Sequence, residues 1–450
     1  MTGEGRRPET GGGARRDAVR LTLALFGYNL LLMAAMPVVV VWLGWRLLVK
    51  GKQIGDWGHR FGLVPRLGSE RRPRIWVHAV SAGEMAAARP VVAALREALP
   101  GAAIGVSTHT DTGMAVARRG CPGADALFYL PFDSPDCMGL ALWRLRPDLV
   151  VVVEKELWPN LLGLARMSGA RVLVVNGRVS DRMVGRARYG WGLVRWLYEL
   201  PDLLCVQSEE DAARLRRLEV SGRRIVTAGN TKVDTLANRD EEAEARLAEE
   251  LGVGGEEVWL VAGSTHPREE EEVVEAFRRI RQELPSARLL LAPRHLERAG
   301  AVWEMVRGRG LEVARRSEGG AARSEAVVLL DTMGELRAAY GFATAGFVGG
   351  TLVPVGGHNL LEPVASERAV LFGPHTANCA DVADLVVEEG VGFRIGDAAE
   401  LAERFLRIAR DGELRGRVAC RARALIEAQR GASTRCAAAA RALLAEGGGA

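Results

Sequence analysis

Two carboxylates stand where apolar runs end, and a lysine stands at the junction between two predicted domains. Glu84 closes IWVHAVSAGE (Ile75–Glu84), Glu154 follows the valine run that opens VEKELWPN, and Lys232 lies in GNTKVD. A carboxylate at the carboxyl end of a strand, in the first turn of the next helix, can be held within hydrogen-bond reach of a hydroxyl and take its proton. The same position also suits an acid that merely answers the helix dipole. Glu154 is either catalytic or a polar anchor at a sheet edge. Lys232 is a compact cation for a phosphate or carboxylate, or a solvated linker charge. A fourth feature is FVGGTLVPVGGHNLLEP, Phe347–Pro363. Its glycines permit a sharp turn and a close ligand approach, and a helix opening behind them would present free N–H groups. Glu362, about one turn in, could accept from ribose hydroxyls, although a plain glycine turn with a capping Asn reads equally well.

Weaker signals fall at similar places. GSTH (Gly263–His266), PRH (Pro293–His295), DTMGEL (Asp331–Leu336) and NGRVSD (Asn176–Asp181, offering Arg178) each follow an apolar run.

The elements that must carry these groups alternate. Strands are expected at Ile75–Val80, Ala103–Ser107, Leu149–Val153, Arg171–Val175 and Leu203–Gln207, with helices at Ala86–Leu99, Thr112–Arg119 and from Pro159. The rhythm restarts at Val258–Ala262 and continues with Arg288–Ala292, Ala326–Leu330, Phe342–Val348 and Ala369–Phe372. Apolar strands alternating with helices imply parallel sheets covered on both faces. We therefore expect two doubly wound domains, at 51–228 and 241–425, joined by a linker at 229–240 and followed by a helix and tail at 426–450. Ligands of such folds sit at the carboxyl ends of the strands, here in an interdomain cleft.

The first 20 residues are polar and are expected to be disordered. Leu21–Trp45 holds no charged residue over 25 positions, long enough as a helix to cross a bilayer. Residues 21–50 are thus read as an uncleaved membrane-anchor helix. Lys50, Lys52, Arg60 and Arg66 beside it could meet acidic lipid groups. The net charge of +4 over 450 residues gives no reason to invoke nucleic acid. Six cysteines without close spacing resemble neither a metal site nor a disulfide framework, and seven scattered histidines suggest no metal.

Taken in order after the N-terminal segment, IWVHAVSAGE, EKELWPN, NGRVS, GNTKVD, GSTH, PRH, DTMGEL and VGGTLVPVGGHNLLEP closely resemble the Kdo (3-deoxy-D-manno-octulosonic acid) transferases of lipopolysaccharide synthesis. The resemblance runs from about Asp56 to about Asn378, with Lys155 and Gly177 as local departures. It implies a GT-B glycosyltransferase at the cytoplasmic side of the inner membrane. Such an enzyme moves Kdo from CMP-Kdo to a lipid A precursor with inversion, without a metal or other cofactor. By that resemblance Glu84 is the catalytic base, and Glu154 and Lys232 stabilise the transition state. Pro293, Arg294, Met333, Gly334, Glu335, Asn359, Leu360, Leu361 and Glu362 bind CMP. Two other readings stay open: a UDP-sugar transferase of the same architecture acting on another membrane glycolipid, and an inactive nucleotide-sugar-binding membrane protein.

Overall fold

The computed structural model describes residues 21–35, 56–68, 70–179, 183–185, 192–236, 239–254, 257–319 and 325–447. The chain forms two compact units, Met1–Thr235 with Gly431–Ala450, and Leu236–Arg430.

The first unit holds β1 (Arg74–His78), β2 (Ala103–Thr108), β3 (Ala126–Tyr129), β4 (Leu149–Val153), β5 (Arg171–Gly177), β6 (Leu203–Val206) and β7 (Ile225–Thr227). They pair in parallel in the order β3-β2-β1-β4-β5-β6-β7. β1 and β4 are buried at every residue, as central strands covered on both faces must be. Alternate side chains feed different clusters: Ile75 and Val77 join Val91 and Leu95 on one face, while Trp76 joins Leu142, Leu161 and Leu162 on the other.

The second unit repeats the plan with β8 (Trp259–Thr265), β9 (Arg288–Pro293), β10 (Val313–Arg315), β11 (Val327–Leu329), β12 (Ala345–Val348), β13 (Ala369–Phe372) and β14 (Gly392–Arg394). Their order is β10-β11-β9-β8-β12-β13-β14, again parallel. In each sheet the winding reverses beside one central strand, between β1 and β4 and between β8 and β12. Those reversals are where an open α/β sheet leaves a crevice at its carboxyl edge.

Four expectations need correction. The strand expected at Phe342–Val348 begins at Ala345, because Phe342 ends the helix Leu336–Phe342 and packs its ring against Trp259, centroids 5.3 Å apart. The C-terminal segment is not a separate tail: helix Ala432–Gly447 belongs to the first unit, burying Cys436, Ala437 and Ala440 among Val91, Val92 and Leu95. Asp234 fixes its start by accepting from Gly431 N (2.7 Å) and Ser433 N (2.6 Å).

The third concerns the place of the N-terminal segment, expected apart from the two domains: its described helix packs on the first unit, while its relation to a membrane is left open. Residues 21–35 are helical, and among the described residues no helix is long and apolar enough to cross a membrane. The remainder of the expected anchor, 36–50, lies outside the described residues, as do residues 1–20. The described helix is part of the first unit, with Leu25 buried against Gly163. The fourth is Arg60, which is only 3% exposed, its guanidinium donating to the carbonyls of Leu130 (3.0 Å) and His109 (2.6 Å). It is a structural cation and not a surface group for lipid phosphates. Arg66 lies over the Trp143 ring, 5.4 Å from its centroid, and Lys50 and Lys52 fall outside the described residues.

Candidate active site

Glu84 sits in the first turn of helix Ala82–Ala98, immediately beyond β1. Ser81 caps that helix by accepting from Glu84 N, and the Glu84 carboxylate reaches back to accept from Val80 N at 2.7 Å. This near-reciprocal cap locks the side chain over the strand end. Burial pushes its carboxyl up to about 7, against the stabilising Val80 amide, with Glu156, Glu154 and Lys232 as smaller influences. A carboxyl with its pKa near 7 is partly ionised at neutral pH, and the ionised fraction is a stronger base than an ordinary carboxylate.

Glu154 and Lys232 meet. Lys232 Nζ lies 2.7 Å from Glu154 Oε1, and Asn176 Nδ2 donates to the same oxygen at 3.3 Å. Asn176 is buried, and its Oδ1 accepts from Thr231 N at 3.0 Å, fixing the start of helix Thr231–Leu236, which carries Lys232. Thr231 in turn donates to Ala87 O in the Glu84 helix. Glu154 (φ 63°) and Asn176 (φ 54°) are both left-handed, at the ends of the neighbouring strands β4 and β5. Non-glycine residues adopt that conformation only where surroundings impose it, and such positions cluster at functional sites. Sequence reasoning missed Asn176. Its signal was an Asn at a strand's end, a residue type that tolerates left-handed backbone.

In the second unit the same edge collects the remaining motifs. β8 ends at Gly263-Ser264-Thr265, with Ser264 left-handed at φ 56°. Gly349 follows β12 so tightly that a Cβ there would meet Ser264 O at 2.4 Å. Glu269 ties the two turns together: its buried carboxylate accepts from Gly350 N (2.6 Å), Thr351 N (2.9 Å), Leu352 N (2.8 Å) and His266 N (3.0 Å). Sequence reasoning missed this residue too, because a Glu opening an acidic helix reads as a solvated face. His266 and His358 face each other, Nε2 to Nε2 at 2.8 Å with ring planes 4° apart. Burial, then the Arg294 charge, pushes the His358 imidazole down to about 4, so it is neutral at physiological pH.

Pro293 ends β9, and Arg294 is close enough to act on the charges of both His358 and Glu362. Glu362 accepts from Asn359 Nδ2 at 3.3 Å, and burial raises its pKa. The helix expected behind the glycines is short, Leu361–Ala365, so a helix dipole aimed at a phosphate is not available there. Leu360 and Leu361 are buried. Met333, Gly334 and Glu335 follow β11. Met333 is 75% exposed, Gly334 has φ 93°, and Glu335 is held by Arg316 (2.9 Å) and Thr332. Pro293, Arg294, Asn359 and Glu362 thus share one stretch of the carboxyl edge, with Met333–Glu335 two strands from β8 in the sheet order.

Two doubly wound units of parallel strands, with acid, lysine and polar groups gathered at their strand ends, have the architecture of the GT-B class. Comparison with known proteins narrows the class. Residues 55–235 match the model of the 3-deoxy-D-manno-octulosonic-acid transferase (kdotransferase) family. A 3-deoxy-D-manno-octulosonic acid transferase of Bordetella pertussis is 31% identical over 91% of this chain and 96% of its own length. A bifunctional glycosyltransferase/methyltransferase of Fusobacterium nucleatum is 31% identical over 73% of this chain, which spans only 51% of that longer relative. The UDP-GlcNAc 2-epimerase of Neisseria meningitidis, solved bound to UDP-GlcNAc, shares the fold with a TM-score of 0.59 at 12% identity, over 83% of this chain and 100% of its own. The chain belongs to the 3-deoxy-D-manno-octulosonic-acid transferase family.

Proposed function

We propose that this chain transfers Kdo from CMP-Kdo to a lipid A precursor, by inversion and without a metal, at the cytoplasmic face of the inner membrane. Family membership supports Kdo transfer. The observation that carries the mechanism is Glu84: a carboxyl at a sheet's reversal point, held by the Val80 amide in a helix start capped by Ser81, with its pKa pushed up to about 7. In this reading Glu84 takes the proton of an acceptor hydroxyl. The hydroxyl oxygen bonds the anomeric carbon of Kdo, and the bond from that carbon to the phosphate breaks as CMP leaves. Glu154, held by Lys232 and Asn176, provides the charge arrangement beside Glu84. In the second unit, Arg294, Asn359 and Glu362 are the groups for the nucleotide. A CMP-sugar carries one phosphate, which a single cationic side chain such as Arg294 can balance as it leaves.

The donor is tested by thermal protection of the full chain. CMP should raise the melting temperature and UDP should do so far less; the reverse order removes CMP-Kdo as donor and favours a UDP-sugar. Transfer should continue in EDTA. Activity that collapses in EDTA and returns with magnesium contradicts the metal-free reading.

A further inference from the structure

We infer that the helix at 21–35 positions the Glu154 loop, through Tyr28 and Asn29. The inference rests on the role proposed for Glu154. One face of this helix turns inward. Leu21 packs in the same cluster as Leu157, Trp158, Leu161 and Leu162, and Leu25 lies where a Cβ on Gly163 would be 2.7 Å from its methyl. One turn on, the contact becomes polar. Asn29 and Asn160 exchange side-chain amide hydrogen bonds, Asn29 Nδ2 to Asn160 Oδ1 at 3.0 Å and Asn160 Nδ2 to Asn29 Oδ1 at 2.8 Å. Tyr28 donates its hydroxyl to Asp133 Oδ2 at 3.1 Å.

These partners hold the start of helix Pro159–Met167. That helix has no side-chain cap of its own. Asp133 supplies one from a distant turn, accepting from Asn160 N (3.2 Å) and Leu161 N (2.9 Å), while its carbonyl accepts from Asn160 Nδ2 (2.6 Å). Between Glu154 and Asn160 the chain has little slack. Glu154 is pinned in left-handed backbone with its N–H on Val175 O, two tight turns follow, and Pro159 fixes the helix entry. Displacing Asn160 therefore displaces Glu154 from Lys232. A helix that served only to tether the chain would need none of this. Tethers do not require a reciprocal, half-buried amide pair or a share in capping the helix behind a catalytic loop. The opposite face carries exposed Leu23, Phe26, Leu30, Leu31 and Met33, so the two roles separate by face.

The test uses the full chain carrying Tyr28→Phe and Asn29→Ala together, with Leu31→Asn on the outer face as comparison. Each is assayed on a lipid A precursor and on its fully deacylated, water-soluble form. For the double variant, kcat on the water-soluble acceptor should fall by about tenfold or more, as for small errors of placement. KM for CMP-Kdo and the melting temperature should stay close to wild type. Hydrogen exchange at the Asn160 and Leu161 amides should quicken. Leu31→Asn should leave turnover of the water-soluble acceptor unchanged. Unchanged kcat on that acceptor together with unchanged exchange overturns the inference and leaves a tether only. A uniform loss of stability and activity, with no faster exchange confined to Asn160 and Leu161, overturns it in favour of a merely structural helix. If wild type transfers no Kdo, the exchange measurement decides alone, so failure of the functional reading is separable. If the double variant does not fold, Asn29→Asp, which keeps the acceptor and loses the donor, takes its place.

Discussion

At Glu84 two influences oppose each other. The Val80 amide favours the carboxylate, burial disfavours it, and burial dominates, leaving the group at about 7. A base must be unprotonated to act, so kcat/KM should rise with pH and level off above about 7. In Glu84→Gln that acid limb should vanish from whatever activity remains; a limb that persists in the variant assigns it to another group. Glu84 and Glu154 stood out in the sequence because each follows an apolar run, and those runs are the fully buried strands β1 and β4. Lys232 stood out only as a cation in a polar junction, because the strand before it, β7, is just partly buried. Asn176 did not, because its importance lies in a left-handed backbone and two simultaneous side-chain partners, Glu154 and Thr231, neither of which spacing reveals. Asn176→Ala should lower stability by ~1–3 kcal/mol through the unpaired Thr231 amide. It should also depress kcat more than donor binding. Urea unfolding alongside steady-state kinetics reads both, and wild-type kcat in a destabilised variant would make Asn176 purely structural.

Among elements, the strand-end turns of the second unit depend on Glu269, which accepts four backbone N–H groups. Glu269→Ala leaves several buried donors unpaired, each at a cost of ~1–3 kcal/mol. The second unit should unfold markedly earlier, and calorimetry should find CMP binding lost before the fold is. An unshifted melting curve would show that water replaces the carboxylate without loss. The central strands were legible because strands covered on both faces are continuously apolar. β3, β7, β10 and β14 were not, since they lie toward the sheet margins and most of their residues are only partly buried. The short helix after Gly357 was overread: Pro363 and the buried Leu361 fit a longer helix equally well, and only packing decides its length.

For the whole molecule, the restart of the strand rhythm near residue 258 marks a second unit, but it cannot say that the last helix returns to the first. An Ala-rich amphipathic helix fits many surfaces, and its partner here is the face of Ala82–Ala98. The anchor reading likewise treated 21–50 as one apolar span lying apart from the domains. The polar residues within it, Tyr28 and Asn29, are the ones that dock onto the first unit. The central claim is that this chain transfers Kdo with Glu84 as base. Its most direct test is a single-turnover reaction of the full chain with CMP-Kdo and a lipid A precursor, the product followed by mass spectrometry. Wild type should yield acceptor bearing Kdo, and Glu84→Gln should bind CMP normally yet form that product ~10²–10⁴-fold more slowly. A Kdo-free acceptor in the wild-type reaction, or a Glu84→Gln rate within a few-fold of wild type with chemistry limiting, would contradict the account.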